Sequence, residues 1–316
     1  MNTFLALGLF IVGLAMVLSL AEQLVKGVVG TSLNFGISAF MISVIFIGFD
    51  PDNLSVGAVA SYEGVSGIAW GSIIGAAMVA VAFAFGVSAL FAPMKFEKVP
   101  KQILAVPIGA VLLLGILGFD GQLSRIDGTI LLSAFVLSLI WFLRLSKQGI
   151  DIKATGEVAE TLGKRRKPSK AKSVVLLGGS LVGIVIGSEL IVRSSRNIIA
   201  MLGLSETVFG MTILAFLVSI EELARTVPAA LKGRPDISFG NVVGSVLAMF
   251  LFNGGIIALI NPVPMNGHIL RFYLPYTLVT VILISLIMIT RNVSRWAGVL
   301  LVLVYFGFVA GSYLVQ

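Results

Sequence analysis

Roughly ten separate stretches of about 20 consecutive apolar residues run along this chain, and a stretch of that length is what a helix needs to cross the hydrocarbon core of a bilayer. They cover residues 4–28, 38–61, 67–91, 103–117 and 126–143, then, after a polar interval, 174–199, 207–231, 237–260, 272–289 and 296–315. A transmembrane β-barrel would alternate apolar and polar residues, whereas 73–85 and 277–289 are apolar on every side, which demands helices. Of the 316 residues, 58% are hydrophobic and only 12% charged, outside the range of a soluble domain. The expectation is an all-helical integral membrane protein. The first stretch lacks the basic lead and cleavage site of a secretory signal and reads as the first helix.

The charges orient these helices. Between Lys147 and Lys172 lie eight basic residues (Lys147, Lys153, Lys164, Arg165, Arg166, Lys167, Lys170 and Lys172) against Asp151, Glu157 and Glu160, most of the formal net charge of +7. In a membrane chain such a run marks the cytoplasmic side and does not point to nucleic acid. The chain then divides into 1–146, a basic cytoplasmic linker 147–172, and 173–316. Both termini are extracytoplasmic. Five spans per half make the second half enter the membrane in the opposite sense to the first, an inverted repeat.

An internal echo supports duplication. Sliding the chain by 169 residues, the distance from Asn53 to Glu222, lays Leu54 on Leu223, Gly64 on Gly233, Gly71 on Gly240, Gly75 on Gly244 and Gly86 on Gly255. Glycine matches arise easily where helices pack closely. Polar positions recur as well: Asp52 and Asn53 meet Glu221 and Glu222, and Ser72 meets Asn241.

Carboxylates inside these segments are costly, at roughly 2.5 to 3.5 kcal/mol for each ionised Asp at a helix centre. Glu221 and Arg225, four residues apart with the acid first, are spaced for a helical ion pair that compensates part of the charge. Glu222 points about 100° away from Glu221, with only Thr226 one turn on. Asp50-Pro51-Asp52-Asn53 interrupts a helix, and irregular backbone at membrane depth lines polar cavities. Asp50, Asp52, Asn53, Glu222, Asn241 and Ser245 together offer the hard oxygens that Ca²⁺ or Na⁺ accepts. No Cys is present and His268 stands alone, so thiolate and imidazole metal sites and redox chemistry are not expected, nor is any cofactor.

The stretch from Ser219-Ile-Glu-Glu-Leu through Gly240-Asn-Val-Val-Gly-Ser245 resembles the second α-repeat of the cation/calcium exchanger superfamily. The resemblance implies ten helices in two inverted sets of five. It assigns Glu222 as the ion-binding Glu of that repeat, with Ser219 and Ser245 as neighbouring ligand positions and Asn241 as the matching Asn. In the first repeat the family's second ion-binding Glu is replaced by Asn53, or by Asp52 with a one-residue slip. Ala76, Ala80 and Met249 stand where the family often has polar ligands. Arg225 replaces a small or hydroxyl residue and can take the space of one bound cation.

The expected function is a multi-pass cell-membrane antiporter that exchanges Ca²⁺ for Na⁺ or H⁺ by alternating access at a mid-membrane carboxylate site. Its partners would be inorganic cations and membrane lipids. Two alternatives stay open: an intramembrane enzyme, for which His268 is the lone imidazole base, and a cation-binding relative that does not transport. Oligomeric state is not legible in the sequence.

Overall fold

In the computed structural model, which describes residues 2–37, 42, 49–96, 101–147, 161–163, 169–233 and 235–315, the chain is helical almost throughout. With no water to bond the backbone in a bilayer core, apolar stretches of this length satisfy their amides within the helix. The first half comprises α1 (Thr3–Asn34), α2 (Pro51–Tyr62), α3 (Ser66–Phe91), α4 (Lys101–Leu117) and α5 (Arg125–Lys147). The second comprises α6 (Lys170–Leu202), α7 (Glu206–Val218), α8 (Glu221–Leu231), α9 (235–260), α10 (Ile269–Ile289) and α11 (Arg295–Leu314). Among the described residues eight helices are long and apolar enough to span a bilayer, and α7 with α8 forms a ninth candidate, bent by 51°. The expected stretch 38–61 lies partly outside the described residues, as does most of the basic linker 147–172.

Burial sorts the helices into an inner pair and an outer ring. In α3, 83% of the most apolar stretch is buried, and in α9 78%, against 28% in α1, α5, α6 and α11. The outer helices turn side chains such as Phe4, Ile11, Val175 and Leu303 outward, as a lipid-facing surface requires. The long helices α1 and α6 pack together antiparallel: a Cβ on Gly13 would lie 2.6 Å from the Gly187 carbonyl, and one on Gly27 would lie 2.6 Å from the Leu177 amide. Only glycine permits such backbone contact. This pair leans on α2, where the Ser188 hydroxyl donates to that of Ser55 at 3.0 Å.

Two short antiparallel ribbons tie the halves together. β1 (Met94–Lys95), after α3, pairs with β4 (Asn292–Val293), between α10 and α11. β2 (Gln122–Leu123), between α4 and α5, pairs with β3 (Val263–Pro264), after α9. Each half thus contributes one strand to each ribbon, from matching places in its own sequence.

Helix starts follow local chemistry. Asn2, Ser169, Ser205 and Ser294 cap α1, α6, α7 and α11 with their side-chain oxygens. The helix interruption expected at Asp50-Pro51 takes the form of a new helix start: Asp50 is the cap of α2 and Pro51 its first residue. Proline is favoured there because its missing N–H has no helical partner in any case.

Candidate functional site

One helix begins buried inside the protein, and a second begins beside it at a partly exposed break. α2 starts at Asp50, which is 1% exposed, and α8 starts at Glu221 after the chain leaves helical geometry at Ser219, with Ile220 between them 44% exposed. Such a start presents N–H groups without helical partners, a positive end that draws carboxylates. Asp50 answers this at α2, its Oδ1 accepting from the Asn53 amide at 3.1 Å. The break in the second half was not anticipated, because 207–231 reads as one apolar stretch. The internal repeat held the signal: at the 169-residue offset Ser219 falls on Asp50, the position where the first half breaks.

The breaks meet. The Asn53 side-chain amide donates to Asp50 Oδ2 at 2.8 Å and to Ser219 Oγ at 2.9 Å, so one amide joins the start of α2 to the break before α8. Beside it, one carboxylate oxygen each from Asp50, Asp52 and Glu221 lie within 4.8 Å of one another. At that separation two ionised carboxylates repel by about 3 kcal/mol for an effective dielectric near 20, so the cluster calls for a positive partner. Asp52 is fully buried, and among the described residues no group donates a hydrogen bond to either of its oxygens. A buried carboxylate left in that state is relieved by taking up either a proton or a hard cation.

Glu222 sits in different company. Its Oε1 accepts from Arg225 Nη1 at 3.3 Å and its Oε2 from the Asn241 amide at 2.5 Å. The same guanidinium reaches Glu221 through Nη2 at 2.5 Å, the ion pair expected from the spacing. Residues three and four apart share a helix face, so Arg225 bridges both acids. By helical spacing Glu222 has only Thr226 one turn on. Thr226 does bond there, but its hydroxyl donates to the Glu222 backbone carbonyl, at 2.6 Å, and Arg225 and Asn241 take the carboxylate.

The helix α9 delivers Asn241 and, one turn later, Ser245, which is 1% exposed and whose hydroxyl has no hydrogen-bond partner among the described residues. Ser72, on α3, is buried and donates to the Ala69 carbonyl at 2.8 Å, close against Gly57 of α2. Asp50, Asp52, Asn53 and Ser219 therefore form one connected group with Glu221, and Glu222 and Asn241 form a second, linked to the first through Arg225. Ser245 lies one helical turn along α9 from Asn241. Glu221, expected only to compensate charge, belongs to the first group and is joined to the second by its pair with Arg225.

Comparisons with known proteins find relatives along almost the whole chain. A family model described as "Sodium/calcium exchanger protein" matches residues 5–144 and 172–314. An uncharacterized membrane protein of Methanocaldococcus jannaschii is 29% identical, covering 95% of this chain and 96% of the relative. The sodium/calcium exchanger MaX1 of Methanosarcina acetivorans is 27% identical, covering 95% and 96%. Among solved structures, the sodium-calcium exchanger NCX_Mj in the presence of Na⁺ and Sr²⁺ superposes with a TM-score of 0.63 at 27% identity, over 98% of this chain and 99% of that one.

Proposed function

This chain belongs to the sodium/calcium exchanger protein family, and on that premise we propose that it is a membrane antiporter exchanging Ca²⁺ for Na⁺ or H⁺ by alternating access. The observation that carries the reading is the meeting of Asp50, Asp52 and Glu221, carboxylates from two segments far apart in sequence, with oxygens within 4.8 Å in the protein interior. Ca²⁺ takes six to eight oxygens and tolerates irregular geometry. Asp50, Asp52 and Glu221 supply the charged oxygens. Asn53, Ser219, Glu222, Asn241 and Ser245 line the same region with amide, hydroxyl and carboxylate oxygens, and Arg225 balances part of the charge. Two ions that compete for one set of oxygens are coupled, because occupancy by one excludes the other.

Alternation of access follows from the inverted repeat, with 1–146 and 173–316 as the two copies and 147–172 as a cytoplasmic linker. The exchanged ribbons support it, since β1 and β3 are 169 residues apart and β2 and β4 are 170 apart. Two glycine crossings support it in the same register: a Cβ on Gly86 would lie 3.1 Å from the Gly298 carbonyl, and one on Gly255 would lie 3.0 Å from that of Gly128. The outer pair α1 and α6 is the element placed to move. It touches α2 through Ser188 and Ser55, and the Ser55 hydroxyl donates to the Asp52 carbonyl at 3.0 Å, so displacement of α6 acts on the backbone that carries the site. The intramembrane-enzyme alternative gains nothing from His268, which is exposed.

The test is ⁴⁵Ca²⁺ flux into proteoliposomes under imposed Na⁺ or pH gradients. Uptake driven by one gradient and not the other is expected and identifies the coupling ion. Ca²⁺ flux indifferent to both gradients would overturn the antiporter reading.

A further inference from the structure

We propose that Arg225 is a tethered cation of the exchange site: its guanidinium permanently fills one positive charge that a mobile ion would otherwise supply, and so lowers by one the number of driving cations bound per cycle. The proposal rests on the antiporter reading and adds to it the residue that sets the coupling number.

Four carboxylates, those of Asp50, Asp52, Glu221 and Glu222, gather around this region, and Arg225 is the one basic side chain paired with them among the described residues. It is nearly enclosed, with a side chain 12% exposed, and it touches the 1% exposed Glu222 and the 20% exposed Glu221 at once. A guanidinium does not release its proton in proteins, so this charge is constant through the cycle. It cannot leave either, being fixed on the same helix as both partners. A charge that is buried, permanent and already matched to two acids removes one unit of positive charge from what mobile ions must bring.

The asymmetry between the halves argues against a general structural need. At the 169-residue offset the counterpart of Arg225 is Val56, a buried apolar side chain on α2. The helix that starts beside Asp50 and Asp52 therefore holds no tethered charge, and its carboxylates remain for mobile ions. A packing role would be served by an apolar residue in both places.

The experiment reads coupling number and not rate alone. Purified protein in proteoliposomes is assayed for Ca²⁺ exchange as a function of driving-cation concentration and of a clamped membrane potential, in the wild type and in R225Q, R225K and E222Q/R225Q. In R225Q the Hill coefficient for the driving cation is expected to rise by about one, with exchange reversing at a different potential, because the missing charge is restored by a mobile ion. R225K keeps the charge and is expected to keep the wild-type number, whatever its rate. E222Q/R225Q removes one negative and one positive charge together, so its number returns to that of the wild type. If Arg225 did not count, the double variant would instead lose a cation. Isothermal titration of the driving cation into purified protein gives the same count for a variant that folds without transporting. A wild-type number in R225Q, or a reduced one in E222Q/R225Q, overturns the proposal alone. A wild type without gradient-driven Ca²⁺ flux overturns it together with the antiporter reading.

Discussion

The two segments that build the site start from related sequences and reach different electrostatic solutions. In the first half, Asp50 is held by Asn53, and Asp52 is buried without a donor to either oxygen among the described residues. In the second, Arg225 bridges Glu221 and Glu222, and Asn241 takes the remaining Glu222 oxygen. One side keeps carboxylate charge available and the other carries its own counter-ion. Two segments that meet in one cluster therefore need not contribute to it equally. Here the first holds a buried carboxylate with no donor among the described residues, while in the second Arg225 pairs with the Glu221 that lies against it.

The sharpest way to break that comparison is to neutralise one acid on each side. Asp52→Asn is expected to lower gradient-driven Ca²⁺ flux by about tenfold or more, the effect of losing ~1.4 kcal/mol of cation binding. Glu222→Gln keeps its Asn241 contact and leaves Arg225 paired with Glu221, so its flux should fall by only about two- to threefold. ⁴⁵Ca²⁺ uptake measures both, and a larger loss in Glu222→Gln would reverse the assignment of roles.

The glycine crossings compare the halves away from the site. Gly86→Ala and Gly255→Ala each press a Cβ against a facing carbonyl, at 3.1 and 3.0 Å, and should each cost about 1 to 3 kcal/mol by overpacking. Similar drops in thermal unfolding temperature are expected if the two halves are copies of one unit. A clear inequality would show that one crossing can relax and the other cannot.

A smaller contrast separates the two asparagines. Asn53→Ala removes side-chain bonds to Asp50 and Ser219 and should destabilise by about 1 to 2 kcal/mol, whereas Asn241→Ala removes one bond and should cost about 1 kcal/mol. Denaturation in detergent without added Ca²⁺ tests the order. The least effect is expected at the end of α2, where Glu63 pairs with Arg193 at 3.5 Å and Arg196 at 3.7 Å on a partly exposed surface. Glu63→Gln should cost no more than about 1 kcal/mol, and less in high salt.

Much of this molecule is legible in the amino-acid order because a bilayer imposes few options. Apolar length dictated spanning helices, and Gly and acidic residues recur at one offset between the halves. The Glu221–Arg225 pair followed from helical spacing alone. Other features escaped for identifiable reasons. The break at Ser219 and Ile220 carries no proline or glycine, so nothing local announces it, and only alignment with Asp50 would have found it. Arg225 reaching Glu222 as well depends on a side-chain rotamer that spacing does not select. The Asn241 contact with Glu222 spans two helices, and Glu221 joins the Asp50 and Asp52 cluster only because α8 starts where α2 starts.

By itself the sequence determined the solvent this protein lives in, the helical nature of the long apolar segments among the described residues and the short list of oxygen-bearing residues, since these depend on hydrophobicity, spacing and chemical type along one chain. Tertiary structure alone decided which of those oxygens share a site and which are occupied by Arg225. Carboxylates separated by some 170 positions acquire a common electrostatic fate only when packing brings them within a few ångströms in a medium too poor in water to screen them.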